Sequence, residues 1–254
     1  MGAPRDSVVI VHTSLRSIGK VDGGARGLLD AFVEYFTGEG GLLCIPTHTW
    51  GNADKEITLD MASCETDLGA FSTVALEDGR GIRTENPSHS MVIFGERERT
   101  LDFASSDLDI DSPIAPESCY GQIWREGGHV LLVGVGQNKN TFIHTVEEMF
   151  GAPNRMTKEK RRFTVRREDG EIVERYMRWF DESLYGDVSL RFTKFELPLR
   201  YHGVIKDGFI GNAPTQLCAA RGIVEALRPI YKDPTAYDPL SDEGMIPPSL
   251  YCIK

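Results

Sequence analysis

The sequence has few cysteines and no long apolar run. Its five cysteines lie singly among 254 residues, without a CxxC pair or the density of a disulfide scaffold. Scattered free thiols are typical of a reducing compartment, so we expect a cytoplasmic protein. No apolar stretch approaches the roughly 20 residues that a membrane helix needs, so we expect no membrane partner.

Positive charge is also scarce. The chain has 28 Lys and Arg residues against 38 Asp and Glu, which gives a formal net charge of -10. A field of that sign repels the phosphates of nucleic acids, so nucleic acid is not expected as a partner. The excess of acids favours either a cationic small-molecule partner or simple solubility, and charge alone does not decide between them.

Several catalytic motifs are missing. The sequence has no GxSxG elbow, no P-loop and no GxGxxG, so serine-hydrolase, NTPase and dinucleotide-binding functions lose their main support. The close His/acid pair, His144 and Glu147, is not an HExxH arrangement, and we therefore expect no metal cofactor. Cys119 could serve as a nucleophile, but a lone thiol is more often a small buried side chain.

Apolar runs on either side of a helical pattern indicate an α/β fold. Strand-like runs occupy 8–12 and 41–46, and between them apolar residues recur at helical spacing over 24–36. This order predicts a βαβ unit with parallel strands. Further apolar runs at 91–95 and 129–136 suit core strands. We therefore expect a central, mostly parallel or mixed sheet flanked by helices.

The second half of the chain predicts a hairpin and a helix. Residues 161–180 alternate by two around Asp169-Gly170, whose glycine accepts the positive φ of a tight turn. We expect an antiparallel hairpin that projects from the main sheet as an exposed ribbon. Residues 213–227 have helical spacing. Because no repeat or low-complexity linker interrupts the chain, we expect a single domain covering residues 1–254.

The segment between residues 47 and 83 is polar, acid-rich and long for an unstructured connection, which makes it a candidate binding loop. Its acids and several downstream could attract a polycation. A solvated surface is the commoner explanation of such acids. The acids in question are Asp54, Glu56, Asp60, Glu65, Asp67, Glu85, Asp107, Asp109 and Asp111.

The histidines differ in their sequence context. His12 ends a buried strand and enters a polar loop, and open α/β sheets place ligands at the carboxyl ends of their strands. His89 lies in a loop before a predicted strand, where a structural role is the stronger explanation. We expect His48, His129 and His202 to be structural or peripheral.

His144 follows another predicted core strand, and Glu147 lies three residues later on the same helical face. A carboxylate that holds one ring nitrogen leaves the other free to accept a proton, as a general base requires. The alternative is a structural role at the N-terminus of a helix. In that role Thr141 caps the helix, and the negative charge of Glu147 interacts favourably with the helix dipole. Spacing alone supports both interpretations equally.

Five motifs stand in a recognisable order: VVIVHTSLRSIGKVDGG, LLCIPTHTWGN, NPSHSMVIFG, SPIAPESCYGQIWREGGHVLLVGVG and NTFIHTVEE. Together they resemble the aminoglycoside 3-N-acetyltransferase family, which is unrelated in fold to the GNAT acetyltransferases. The resemblance covers residues 8–150 and extends weakly to 203–213. It implies a cytoplasmic transferase with acetyl-CoA as cosubstrate, and an acceptor amine that is typically on the deoxystreptamine ring of an aminoglycoside antibiotic. A homodimer is compatible with it.

The resemblance also implies catalytic residues. By motif match, the family's central histidine falls on His144, its companion acid on Glu147, and the histidine of the first strand on His12. His144 would accept the proton of the amine as its nitrogen attacks the thioester. The oxyanion that develops needs hydrogen-bond donors, which the Thr141 hydroxyl or nearby backbone N–H groups could provide.

Ligand-binding residues follow from the same match. The substrate-side candidates are His89, Asn86 and Asp181, of which Asn86 stands where the family often has a histidine. Asp181 and its neighbour Glu182 are also candidates for a second acid that orients His144. The residues that fall along the family's pantetheine and phosphate channel are Thr13, Ser14, Leu15, Arg16, Ser17, Ser118, Cys119, Tyr120 and Asn140.

Three alternatives accompany the leading hypothesis. The first keeps the enzyme class but changes the acceptor to an amine on a biosynthetic intermediate, because family members exist whose acceptor is not an antibiotic. The second is a catalytically silent CoA-binding protein. The third is a metal-dependent hydrolase, which the sequence does not support.

Overall fold

The structure, a computed structural model, describes residues 1–242 and 244–252. In this described part of the chain, ten strands form two sheets, with seven strands in the main sheet and three in a smaller one. The strands are β1 (Val8–Thr13), β2 (Leu42–Pro46), β3 (Leu59–Asp60), β4 (Ile82–Arg83), β5 (Met91–Phe94), β6 (His129–Val133), β7 (Arg161–Arg166), β8 (Ile172–Met177), β9 (Ile205–Ile210) and β10 (Ala213–Ala219).

The main sheet has the order β4-β5-β2-β1-β6-β10-β9. Its centre is parallel, because β1 pairs in parallel with both β2 and β6. The flanking strands β5 and β10 are antiparallel to their inner neighbours β2 and β6. The mixed sheet predicted from the sequence is therefore confirmed, as is the βαβ unit formed by β1, the helix over 24–37 and β2.

Helices cover both faces of this sheet because its strands are apolar on both sides. Val8 and Ile10 point into one core, whereas Val9 and Val11 point into the other, as the two-residue period of a strand requires. Fully burying each such side chain stabilises the fold by about 2 kcal/mol. The helices are α1 (Leu15–Ile18), α2 (Gly24–Thr37), α3 (Ala70–Glu77), α4 (Arg97–Ala104), α5 (Cys119–Arg125), α6 (Phe142–Met149), α7 (Glu196–Tyr201) and α8 (Ala220–Leu227).

The predicted hairpin lies outside the main sheet. β7 and β8 pair in antiparallel fashion around the Asp169-Gly170 turn, in which Gly170 has φ 87°. The ribbon is not exposed on both sides, because β7 also pairs with β3 and the inward side chains Phe163 and Met177 are fully buried. This small sheet is separate from the main sheet, and through Arg161 of β7 it supplies part of the site described below.

The predicted helix over 213–227 is wrong in its first half. Residues Ala213–Ala219 form strand β10, and only Ala220–Leu227 is helical. Leu217 and Cys218 are both buried, but in the two different cores on either face of the sheet. A strand buried on both faces does not alternate in hydrophobicity, so its sequence can be mistaken for a helical pattern.

The acid-rich segment between 47 and 83 is partly ordered by Arg83. The Arg83 guanidinium donates hydrogen bonds to the carbonyl oxygens of Ser63 at 2.7 Å, Asp60 at 3.2 Å and Thr47 at 3.3 Å. Burial lowers the pKa of Arg83 to about 10, which still leaves it cationic at neutral pH. The segment also contains helix α3, which the sequence interpretation missed. Within the described residues, no helix is both long and apolar enough to cross a membrane.

Candidate active site

A cavity of about 1000 Å³ opens at the carboxyl ends of the central parallel strands. The carboxyl end of β1 contributes His12 to its wall, the loop after β6 contributes Lys139 and Thr141, and the loop after β2 contributes His48. Open α/β sheets bind ligands at this edge, because strands that connect in opposite directions leave a crevice there. The cavity is therefore the candidate active site, and the position of each candidate residue is given relative to it.

The cavity wall contains the imidazoles of His12, His48, His89 and His144. Burial is the main reason why the pKa of each is low, at about 4 for His12 and about 3 for His89 and His144. Burial, followed by the neighbouring histidines, also holds the pKa of His48 well below its usual value. At pH 7 the imidazoles are neutral and can accept a proton. Among the described residues, no group of three or more His, Cys, Asp or Glu side chains could hold a metal ion.

His48, which we expected from the sequence to be structural or peripheral, is buried and lines the cavity. It is 3 % exposed, and its ring centroid lies 4.4 Å from that of His89. A signal was available, because the THTW stretch directly follows β2. Since β2 was already expected to pair with β1, the residues after both strands had to meet at one edge of the sheet. His129 and His202 do lie outside the cavity wall, as expected.

His144 is presented by helix α6, which begins at the cavity. Its ring packs against Phe192 at 4.6 Å and Phe180 at 5.0 Å between centroids, and both contacts are edge-on. Its Nδ1 lies 3.8 Å from Oε2 of Glu147, one helical turn away. That separation exceeds a hydrogen bond, but it is close enough for the carboxylate to orient an N–H at Nδ1 and stabilise a positive imidazole. The side chain of Thr141 makes no capping hydrogen bond to α6, so the helix-cap role that the sequence offered for Thr141 is wrong.

Glu147 is fully buried and is held by groups from distant segments. Its Oε1 accepts hydrogen bonds from Arg155 Nε at 2.6 Å and from the Tyr231 hydroxyl at 2.8 Å. Arg155 in turn donates to both carboxylate oxygens of Asp238. Burial raises the pKa of Glu147, and Arg155 opposes that rise. Arg155, Tyr231 and Asp238 were not found from the sequence, because nothing local to them points toward His144.

His48 is oriented by Tyr120. The Tyr120 hydroxyl lies 2.7 Å from His48 Nε2, and both side chains are buried. Among the described residues, the hydroxyl has no other acceptor, so it donates to Nε2 and the ring proton of the neutral His48 resides on Nδ1. His48 Nδ1 is a buried N–H donor without a protein partner among those residues, on a side chain that lines the cavity.

The residues predicted for the cofactor channel divide into two groups. Thr13, Ser14, Leu15 and Arg16 line the cavity, and so does Asn140. Ser17 does not, because its hydroxyl lies 2.9 Å from Ser14 Oγ and 3.3 Å from the Gly134 carbonyl oxygen and is engaged within the protein. Most of the loop after β1 therefore lies where a ligand in the cavity would contact it.

The remaining predicted channel residues lie outside the cavity wall. Ser118, Cys119 and Tyr120 are fully buried behind it. The Ser118 hydroxyl caps α5 by accepting from the Tyr120 N–H, and the Cys119 thiol donates to the Phe103 carbonyl. Burial raises the pKa of the Cys119 thiol, which disfavours a nucleophilic thiolate. These residues support the site from within, and the motif alone could not distinguish this role from ligand contact.

Of the predicted substrate residues, His89 and Asp181 line the cavity, whereas Asn86 does not. Asn86 is fully buried and holds the loop, since its Oδ1 accepts from the His89 N–H at 3.0 Å and its Nδ2 donates to the Pro113 carbonyl at 2.7 Å. Asn86 therefore positions His89. Asp181 is engaged by Ser183, and the acid beside His144 is Glu147.

The cavity wall combines aromatic and acidic side chains. Trp50, Trp179 and Phe180 surround His89, with ring centroids 5.1 to 6.4 Å away. Neither tryptophan was identified from the sequence as a site residue. Of the predicted acids, Asp107 is fully buried behind the site and binds the Cys119 N–H. The acids that do line the cavity are Asp54, Asp67, Asp181, Glu182 and Asp187.

A family model described as aminoglycoside 3-N-acetyltransferase matches residues 10–232. The chain is 28% identical over 247 residues to aminoglycoside N(3)-acetyltransferase IV of Salmonella, covering 96% of this chain and 88% of that protein. It is 25% identical over 255 residues to aminoglycoside N(3)-acetyltransferase III of Serratia marcescens, covering 88% of this chain and 90% of that protein.

A solved structure supports the same relationship. The crystal structure of aminoglycoside acetyltransferase AAC(3)-IVa, a histidine-to-alanine mutant in complex with a gentamicin, is similar to this fold with a TM-score of 0.74. The two chains are 26% identical, and the match covers 92% of this chain and 85% of the other.

Proposed function

Because the chain belongs to the aminoglycoside 3-N-acetyltransferase family, a class of acyltransferases, we propose that it transfers acetyl from acetyl-CoA to an amino group of an aminoglycoside. His144 is the general base. The observation that carries this role is a neutral, buried imidazole on the cavity wall, with a carboxylate 3.8 Å from its Nδ1. Since both sheets contribute to the wall, residues 1–254 act as one catalytic domain.

The reaction needs a base because an alkylamine is protonated and non-nucleophilic near neutral pH. Glu147 orients the Nδ1–H of His144, which leaves Nε2 to accept the proton of the incoming amine. The amine nitrogen then forms a bond to the thioester carbon, and the C–S bond breaks. The proton held by His144 passes to the departing thiolate of CoA. No covalent enzyme intermediate is required.

The acetyl-CoA side of the cavity lies at the loops after β1 and β6. Arg16 and Lys139 supply positive charge for the phosphates of CoA, and Asn140 offers an amide to the pantetheine arm. The Thr141 hydroxyl and the Nδ1–H of His48 are candidate donors to the oxyanion of the tetrahedral intermediate. Preorganised donors of this kind are commonly worth about 10²–10³ in turnover.

The acceptor side is the aromatic and acidic part of the wall. Trp50, Trp179 and Phe180 provide flat apolar faces for sugar rings. Asp67, Asp181 and their acidic neighbours provide negative charge for the ammonium groups of an aminoglycoside. The complex of the related AAC(3)-IVa with a gentamicin supports this class of acceptor.

Turnover of acetyl-CoA with a panel of acceptors tests the proposal. Free CoA release is measured with gentamicin, apramycin and several non-antibiotic amines. We expect release with at least one aminoglycoside, and His144→Ala should lower kcat by about 10²-fold or more while leaving acetyl-CoA affinity nearly unchanged. His202→Ala, outside the cavity wall, is the matched control.

Three results would contradict the proposal or a part of it. Unreduced turnover by the His144→Ala variant would exclude this histidine as the base. Turnover only with non-antibiotic amines would replace the acceptor while leaving the transferase chemistry intact, and acetyl-CoA binding without transfer to any amine would indicate a silent CoA-binding protein.

A further inference from the structure

Asp238 is the last member of a series of polar contacts that runs from His144 through Glu147 and Arg155. It lies beyond residue 232, where the match to the family model ends. Its Oδ1 accepts from Arg155 Nη2 at 2.6 Å and its Oδ2 from Arg155 Nη1 at 3.1 Å, so the guanidinium is held at two points. The Nε of the same guanidinium donates to Glu147 Oε1 at 2.6 Å.

The pairing leaves the Oε2 of Glu147 free to act on His144. Oε1 already has two donors, Arg155 and the Tyr231 hydroxyl. Oε2 has no hydrogen-bond partner among the described residues and faces His144 Nδ1 at 3.8 Å. Arg155 thus fixes which oxygen of the carboxylate meets the imidazole.

The charge of the cluster depends on Asp238. Glu147 and Arg155 alone would cancel, and an imidazolium formed beside them would have no net counter-charge. Although burial lowers it, the pKa of Arg155 is raised overall by Glu147 and Asp238, so Arg155 stays cationic. With Asp238 included, the three groups carry one net negative charge in a buried setting, where charges interact strongly.

We propose that Asp238 is a positioning residue for acetyl transfer, which holds Arg155 and supplies the negative charge that balances the imidazolium formed at His144. This inference rests on the proposed role of His144 as the general base. Asp238 is not part of the cavity wall, and it acts on His144 through Arg155 and Glu147.

Other groups around His144 do not replace this charge. The rings packed on it belong to Phe180 and Phe192, which are apolar. Tyr231 is neutral, because burial raises the pKa of its hydroxyl well above the usual value. The other titratable groups on the cavity wall include the neutral imidazoles of His12, His48 and His89 and the cationic Arg16, Lys139 and Arg161. Acids also line the wall, namely Asp54, Asp67, Asp181, Glu182 and Asp187, but among the described residues the carboxylate within 4 Å of a His144 ring nitrogen is that of Glu147.

The first test is Asp238→Asn, which keeps the shape of the side chain and removes its charge. We expect kcat to fall about tenfold at pH 7, while KM for acetyl-CoA and its binding affinity stay within about twofold. Asp238→Glu, which keeps the charge, should retain a higher kcat than Asp238→Asn. The matched control is Asp233→Asn in the same segment, because Asp233 is exposed and pairs locally with Thr235.

The sharper test combines Asp238→Asn with Arg155→Gln. The double variant again carries one net negative charge, that of Glu147, which the Tyr231 hydroxyl still supports. We expect its kcat to recover at least about threefold relative to Asp238→Asn alone. A purely structural role predicts the opposite, since two lost contacts should cost as much as one or more.

The outcomes separate this inference from the proposed function. If His144→Ala abolishes turnover but Asp238→Asn matches the wild type, or the double variant is no faster than the single one, Asp238 has no such role and His144 keeps its own. If His144→Ala turns over normally, the general base is misassigned and the inference falls with it. Acetyl-CoA binding by each purified variant establishes that it is folded.

Discussion

The Tyr120 hydroxyl donates to His48 Nε2 across 2.7 Å, and both side chains are buried where the loop after β2 meets helix α5. The residues are 72 positions apart in the chain. This bond sets the tautomer of a histidine on the wall of the candidate active-site cavity, and the tautomer determines whether that histidine presents a donor or an acceptor at its other ring nitrogen.

Tyr120→Phe should therefore affect both stability and turnover. Losing the hydroxyl leaves a buried ring nitrogen of His48 unpaired, which should lower the free energy of unfolding by about 1–3 kcal/mol. We expect kcat to fall about tenfold, because the donor at His48 Nδ1 is no longer enforced. Urea unfolding and CoA release measure the two effects. Tyr176→Phe, which removes an exposed hydroxyl on β8, should change neither quantity.

Stability should fall as the pH drops below about 6.5, the ordinary pKa of histidine. Burial lowers the pKa of His89 to about 3 in the folded chain, so the unfolded chain binds a proton that the folded chain does not. The stabilisation is complete above about pH 6.5 and is lost as the pH falls toward about 3. At pH 5 the loss is about 2 kcal/mol for this one residue.

Comparison with His89→Gln isolates that contribution. The difference in unfolding free energy between wild type and variant should shift by about 2 kcal/mol between pH 7.5 and pH 5, in the direction that favours the variant at pH 5. Urea titrations at the two pH values measure it. A constant difference would mean that His89 titrates normally in the folded protein.

Arg83 should matter for stability and for acceptor binding. Its guanidinium donates to four carbonyl oxygens, those of Thr47, Asp60, Ser63 and Glu65, and so anchors the segment leading to Asp67 on the cavity wall. Replacing it by Met leaves the half-buried acceptors among them without their donor, and we expect a loss of about 1–2 kcal/mol in unfolding free energy. KM for the acceptor should rise while acetyl-CoA affinity is retained. An equal loss of affinity for both ligands would show a general effect on the fold.

Asp181 should act on acceptor affinity alone. It lies on the cavity wall beside Trp179 and Phe180, and its carboxylate can pair with an ammonium group of the acceptor. Asp181→Asn should raise KM for the acceptor by about fivefold and leave kcat unchanged, as expected for an exposed or half-buried charge pair. Asp169→Asn at the hairpin turn serves as the control. A selective loss of kcat would instead assign Asp181 to the chemistry.

Much of the fold was accessible from the sequence because its signals are local. The runs that form β1, β2, β5 and β6 are short, apolar and bounded by turn residues, and each was predicted as a core strand. Strand β10 was not, since a strand buried on both faces shows no alternation to distinguish it from a helix. Pairing with β6 and β9, of which β6 is distant in the chain, decided its structure.

The candidate active site was likewise only partly predictable from the sequence. His144 and Glu147 stand three residues apart, so helix geometry alone brought them to one face, and the motif order pointed to the right family. The groups that orient them had no such signal, because Tyr231 reaches Glu147 across 84 positions and Asp238 reaches Arg155 across 83. Sequence determines what short-range geometry enforces, namely helical faces, turns and strand ends. Only tertiary packing decides which distant polar groups share a buried space, because each must find a partner when water is excluded.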